Sequence, residues 1–101
     1  TFVYTGFKPA WVMIKRTDAT NNWVIFDNKR SPINQVGDEL MANTSDAETD
    51  DSQHNSARDH LSNGFKIRET GNSVNGSGAS YIYMAFGQTI VGSNNVPATA
   101  R

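Results

Sequence analysis

Four carboxylates crowd into one polar stretch of the chain, Asp46, Glu48, Asp50 and Asp51, and His54 follows closely. Hard cations such as calcium are held by several carboxylate and carbonyl oxygens converging from one flexible segment, and this segment has the charge for that chemistry. Its spacing departs from the helix-loop-helix calcium pattern, and the glycine such a loop needs for its sharp turn is missing. A solvated acidic loop is therefore expected, with no bound metal. His54 and His60 fit neither one helical face nor a common two-histidine metal spacing, so a zinc site would need ligands from elsewhere. They are expected as exposed polar side chains flanking Arg58.

Catalytic signatures are absent. No Gly-x-Ser-x-Gly elbow gives a serine a strained, exposed position. The carboxylates needed on separate walls of a sugar-cleaving cleft are gathered in one loop instead. The glycine-rich segment from Gly71 to Gly78 lacks a following lysine and leads into a strand-like run, so it reads as a flexible hairpin loop, not a phosphate cradle. Asn43-Thr44-Ser45 and Asn75-Gly76-Ser77 match the glycosylation acceptor pattern, which a chain so rich in these residues meets by chance. Sugar-binding surfaces use aromatic rings as platforms, with amides and carboxylates beside them. Trp11 and Trp23 lie inside apolar runs and are expected in the core. Tyr81 and Tyr83, with Asn72 and Asn75 from the glycine-rich loop and Asp46, Glu48, Asp50, Asp51 and His54 from the acidic one, are the residues that could form a ligand surface.

Bulk properties narrow the partners. With 9 basic and 10 acidic residues the net charge is −1, which leaves no electrostatic footprint for nucleic acid or anionic lipid. No run approaches the ~20 apolar residues that span a bilayer, so membrane insertion is not expected. The absence of cysteine removes disulfides, thiolate metal sites and cysteine nucleophiles. A length of 101 residues suits one domain able to bury its own core.

The elements that must position these residues are short β-type runs separated by polar turns. Residues 11–15 and 23–26 are apolar on both faces, as expected of strands lying between two layers or centrally in a sheet. Residues 65–68 alternate, with Phe65 and Ile67 inward and Lys66 and Arg68 in solvent. Residues 81–86 place Ile82, Met84 and Phe86 on one face and Tyr81, Tyr83 and Ala85 on the other. Weaker runs cover 1–4 and 39–42. Two hairpins, 11–15 with 23–26 and 65–68 with 81–86, would pack into an all-β antiparallel sandwich. The segment 43–60 reads as a long polar loop and 87–101 as an extended polar tail.

The order Phe2-Val3-Tyr4-Thr5-Gly6-Phe7-Lys8-Pro9-Ala10-Trp11-Val12-Met13-Ile14-Lys15-Arg16-Thr17-Asp18, then Trp23 to Asp27, Leu61 to Arg68 and Gly78 to Phe86, resembles the C-terminal β-rich domain of marine phage tail-fibre and related virion structural proteins. The likeness extends to the closing Asn95-Val96-Pro97-Ala98-Thr99-Ala100-Arg101. It implies a jelly-roll or concanavalin-like sandwich displayed on the virion as a homo-oligomer among other virion proteins, and it carries over no catalytic residue and no cofactor. Two functions fit these expectations. One is recognition of a host cell-surface glycan or protein through the loops 43–60 and 71–78. The other is a structural role, in which a strand edge or the tail joins neighbouring subunits or decorates a capsid.

Overall fold

The structure, a computed structural model, describes residues 1–31, 33–49 and 57–87. They form seven strands: β1 (Phe2–Tyr4), β2 (Pro9–Arg16), β3 (Val24–Asp27), β4 (Leu40–Met41), β5 (Arg58–Leu61), β6 (Gly64–Ile67) and β7 (Tyr81–Gly87). One sheet has the order β1-β6-β5 and the other β4-β3-β2-β7, with every pairing antiparallel. The two sheets pack face to face as a β-sandwich. No helix among the described residues is long and apolar enough to cross a membrane.

Side-chain alternation decides what fills the space between the sheets. From β2 and β3 it places Val12, Ile14, Val24 and Phe26 inward, and from β6 Phe65 and Ile67, all buried. Val36 and Val74 close the core from the loops. Full burial of side chains such as Phe26 and Phe65 contributes roughly 1.5–3 kcal/mol each. β2 and β3, apolar on both faces, are the two central strands of the four-stranded sheet. Their pairing sets Trp11 against Asp27 and Ile14 against Val24, the first expected hairpin. Lys66 and Arg68 stand in solvent.

The second expected hairpin does not form. β6 pairs with β1 and β5, whereas β7 runs beside β2 with Met13 opposite Met84 and Arg16 opposite Tyr81. The physical reason lies in the faces. β7 is apolar on both sides and gains most beside the central β2, while β6, with one wet face, suits the smaller sheet. The glycine-rich loop is consequently a crossover between sheets. It is held by Val74, which is 2% exposed, and by bonds from the Val74 and Asn75 amides to the Gly71 carbonyl, so it is an anchored loop and not a flexible one.

The expected loop 43–60 is bridged within and ends sooner than expected. Thr49 bridges Glu39, and residues 58–60 belong to β5, which turns through Ser62-Asn63 into β6 with Leu61 opposite Gly64. The Asn63 carbonyl at this turn accepts the Thr5 and Gly6 amides at 3.0 and 3.2 Å, tying β1 to the hairpin. The tail expected after residue 87 lies outside the described residues.

Candidate functional site

β5 carries polar residues where a core strand would carry apolar ones. Its inward positions are Arg58 and His60, with relative exposures of 0% and 2%, so the expectation of an exposed His60 fails, while His54 lies outside the described residues. The reason is the hairpin with β6, which turns alternate residues of β5 toward the opposite sheet. There the Arg58 guanidinium stacks on the face of Phe26, and the ring quadrupole offsets part of the cost of burying the charge.

The main chain of His60 is clamped by one side chain. Asn34 accepts the His60 amide at 2.9 Å on Oδ1 and donates to the His60 carbonyl at 2.8 Å from Nδ2. Its imidazole is left over: neither ring nitrogen makes a hydrogen bond of good geometry among the described residues. Leaving a buried polar group unpaired costs about 1–3 kcal/mol, and a group kept at that cost is a candidate for use. Burial pushes the His60 imidazole down to about 4. The Arg58 and Lys8 charges act in the same direction, and Asp27 and the nearby Pro9 carbonyl oppose them. At neutral pH the ring therefore offers one donor and one acceptor.

This imidazole lines a cleft of about 360 Å³, with Lys8, Asn28, Ser31, Ile33, Asn34 and Val36 around it. Ser31 is committed to Asp38, donating to its carboxylate at 3.0 Å and accepting its amide at 3.3 Å. Asn34 is committed to the His60 backbone. Among the described residues the side chains left for a ligand are the Lys8 ammonium and the Asn28 amide, with the His60 imidazole in the wall behind them, its two nitrogens buried. Asp27, one residue before Asn28, stiffens the wall. Its carboxylate accepts the Lys29 and Arg30 amides, both at 2.9 Å, and the Arg30 Nε at 2.8 Å. Burial raises the Asp27 carboxyl, but these bonds and the Arg30 charge outweigh burial and hold it below the usual carboxylate range. The site contains a cation, an amide and a neutral imidazole around a small volume, which suits a polar, negatively charged ligand.

The residues expected to form a ligand surface are distributed differently. Asp46 and Glu48 are exposed, and Glu48 lies 3.5 Å from the Arg30 guanidinium. Asp50, Asp51 and His54 lie outside the described residues. Among the described residues no three metal-ligating side chains converge. Asn72, Asn75 and Tyr81 do come together, but to brace the crossover loop. The Tyr81 hydroxyl donates to the Asn72 carbonyl at 2.8 Å and accepts the Gly76 amide at 2.6 Å, while Asn75 donates to the Glu69 carbonyl and accepts the Thr1 hydroxyl. Tyr83 keeps 48% of its surface exposed and meets Phe65 edge-on at 5.5 Å.

Trp11 and Trp23 are not in the core. Inward Val12 and Val24 force their odd-numbered neighbours to the outer face of the four-stranded sheet. Trp11 packs there against Phe86 at 5.4 Å, and Trp23 borders a shallow groove with Met13, Ile82, Tyr83 and Met84. Lys8 and Asn28 carried no motif in the sequence. A signal for β5 did exist: Leu61-Ser62-Asn63-Gly64 is a two-residue turn flanked by apolar residues, which requires a strand running back from Leu61 and carries His60 inward.

No curated protein and no solved structure matches this chain. A family model described as Domain of unknown function (DUF7483) matches residues 1–89, a span that holds all seven strands and every described residue of the cleft, and the chain belongs to that family.

Proposed function

We propose that this chain is a non-enzymatic recognition module on the surface of a phage particle, and that it binds an acidic host-surface glycan in the Lys8–Asn28–His60 cleft. The observation that carries the proposal is the buried imidazole, with no hydrogen bond of good geometry on either ring nitrogen among the described residues, beside the cleft's cation and amide. A sugar carboxylate accepts from the Lys8 ammonium in a charge-assisted bond. Neighbouring hydroxyls, which both donate and accept, meet the Asn28 amide and reach a neutral His60 as the cleft wall shifts to uncover its ring nitrogens, which are buried in the free chain. Among the described residues the one hydroxyl lining the cleft, Ser31, is held by Asp38 and not by this imidazole, which favours holding a ligand over transforming it. The phage setting is supported by the resemblance of the β1–β3 and β5–β7 segments to tail-fibre modules. One such small cleft binds weakly, and display in several copies multiplies its effect.

A glycan array probed with a multimerised form of the chain tests this. Selective binding of uronate- or sialate-bearing glycans is expected. Lys8→Ala should lower it about tenfold, the weight of one charge-assisted hydrogen bond. Uniform blanks across acidic and neutral glycans, or binding indifferent to Lys8→Ala, contradict the proposal. Density for this chain at the exposed tips of an intact particle is expected, and burial inside a lattice would count against a recognition role.

A further inference from the structure

β7 ends the four-stranded sheet, and among the described residues its backbone is paired only with β2. Open strand edges are templates for another strand, and proteins blunt them with charges, prolines, bulges or very short strands. None of these devices is present in Tyr81–Gly87. The strand is seven residues long, contains no charged residue and no proline, and the register shift of its pairing with β2 falls at the far end, between Pro9 and Trp11. Its outward side chains are large and apolar: Ile82, Met84 and Phe86 are 52%, 49% and 58% exposed. They continue the outer stripe of Trp11 and Met13 across the sheet.

The sequence of β7 also fits itself. Two copies placed antiparallel about a two-fold axis at Met84 set Ile82 opposite Phe86 on the outer face. On the inner face they set Tyr83 opposite Ala85, a ring against a small residue. Met84 meets its own copy at the axis. Apolar cross-strand pairs of this kind are favourable, and the absence of charge on β7 removes the like-charge clash that usually forbids an isologous strand pair.

We infer that β7 is a homodimer interface, in which a second copy of the chain pairs antiparallel along Tyr81–Gly87 about Met84. The product is a continuous eight-stranded sheet in the order β4-β3-β2-β7-β7-β2-β3-β4. Its joined outer face carries the apolar side chains of both copies. The inference does not depend on the glycan proposal, because the His60 cleft is lined by residues of other segments. A single strand pair is small beside the roughly 800 Å² per partner of a standard interface, so the dimer is weak, with a dissociation constant on the order of 100 µM.

The chain contains no cysteine, so single introduced thiols report the register cleanly. Met84→Cys places two thiols across the axis and should give a disulfide-linked dimer under mild oxidation, at least tenfold faster than Ile82→Cys or the exposed loop variant Lys29→Cys. Sedimentation equilibrium of the unmodified chain should show a concentration-dependent dimer. Met84→Lys, which brings two ammonium groups together at an exposed position, should abolish it while leaving the circular dichroism spectrum unchanged. Ile82→Lys/Phe86→Glu, which creates two complementary cross-axis pairs, should retain it. Three results would overturn the inference. Equal linking of Met84→Cys and Ile82→Cys would mean stacked outer faces instead of paired edges. A monomer at all concentrations with freely exchanging β7 amides would mean no partner copy. A monomer with protected β7 edge amides would mean that the edge is covered from within the chain.

Discussion

His60 is neutral and buried in the folded chain, whereas in the unfolded chain it titrates near its ordinary value of 6.5, and the gap to about 4 links stability to pH. Between those two values the unfolded state binds the proton and the folded state does not, so acid pulls the chain toward unfolding. Stability is complete above pH 6.5, falls as the pH drops toward about 4, and loses on the order of 3 kcal/mol across that window at one pKa unit per ~1.4 kcal/mol. Urea midpoints measured from pH 7.5 to 4 should show this slope, and His60→Leu should flatten it; an unchanged slope in the variant would place the effect elsewhere. Asp27 acts in the opposite sense and at lower pH. Its carboxyl is held below 3.8 when folded, so its contribution is present above that value and is lost as the pH falls through the depressed one. The His60→Leu protein should therefore still lose stability below pH 4.

At the level of the elements, Gly64 is where β1 depends most directly on a single side chain being absent. A Cβ there would lie 2.0 Å from the Val3 carbonyl oxygen, too close for any rotamer to relieve. Gly64→Ala should cost about 2–4 kcal/mol by thermal or urea denaturation. It should also speed hydrogen exchange in β1 more than in β2 or β3, and equal loss across all strands would contradict this local account. The strands themselves were legible because their residues alternate or are apolar throughout: 11–15, 23–26, 65–68 and 81–86 all lie within or overlap observed strands, and the short runs at 1–4 and 39–42 contain β1 and β4. The partners of β6 and β7 were not legible. Loop composition between them suits a hairpin and a sheet-to-sheet crossover equally, and only the burial of Val74 separates the two. β5 was hidden by its polarity. Arg58-Asp59-His60 looks like a solvated loop until the turn at Ser62-Asn63 folds it back and directs alternate residues inward.

Taken whole, the molecule sorts its chemistry onto separate faces of one sandwich. The apolar core lies between the sheets. Along Trp11, Met13 and β7 the outer face of the four-stranded sheet is apolar, and among the described residues β7 is paired on one side only. The cleft holding Lys8, Asn28 and His60 is built from the start of β2, the segment after β3 and the inner face of β5. Of the candidate site, the sequence alone made nothing visible, because His60 reads there as an exposed polar side chain. Lys8 and Asn28 are ordinary polar residues until the fold sets them around it, and Asn72, Asn75 and Tyr81 have the right chemistry for a ligand but are engaged in holding the crossover loop. The proposed recognition and the inferred self-pairing use different faces, so the two are compatible on one copy, and assembly would multiply weak binding at each cleft. The most direct test of the cleft is a nitrogen-15 NMR titration of the His60 ring, assigned with His60→Gln, against a uronate-bearing oligosaccharide and its neutral counterpart. A saturable shift of both ring nitrogens with the acidic sugar, absent with the neutral one and in Lys8→Ala, is predicted. A His60 ring that stays unmoved at saturating acidic glycan would contradict the account.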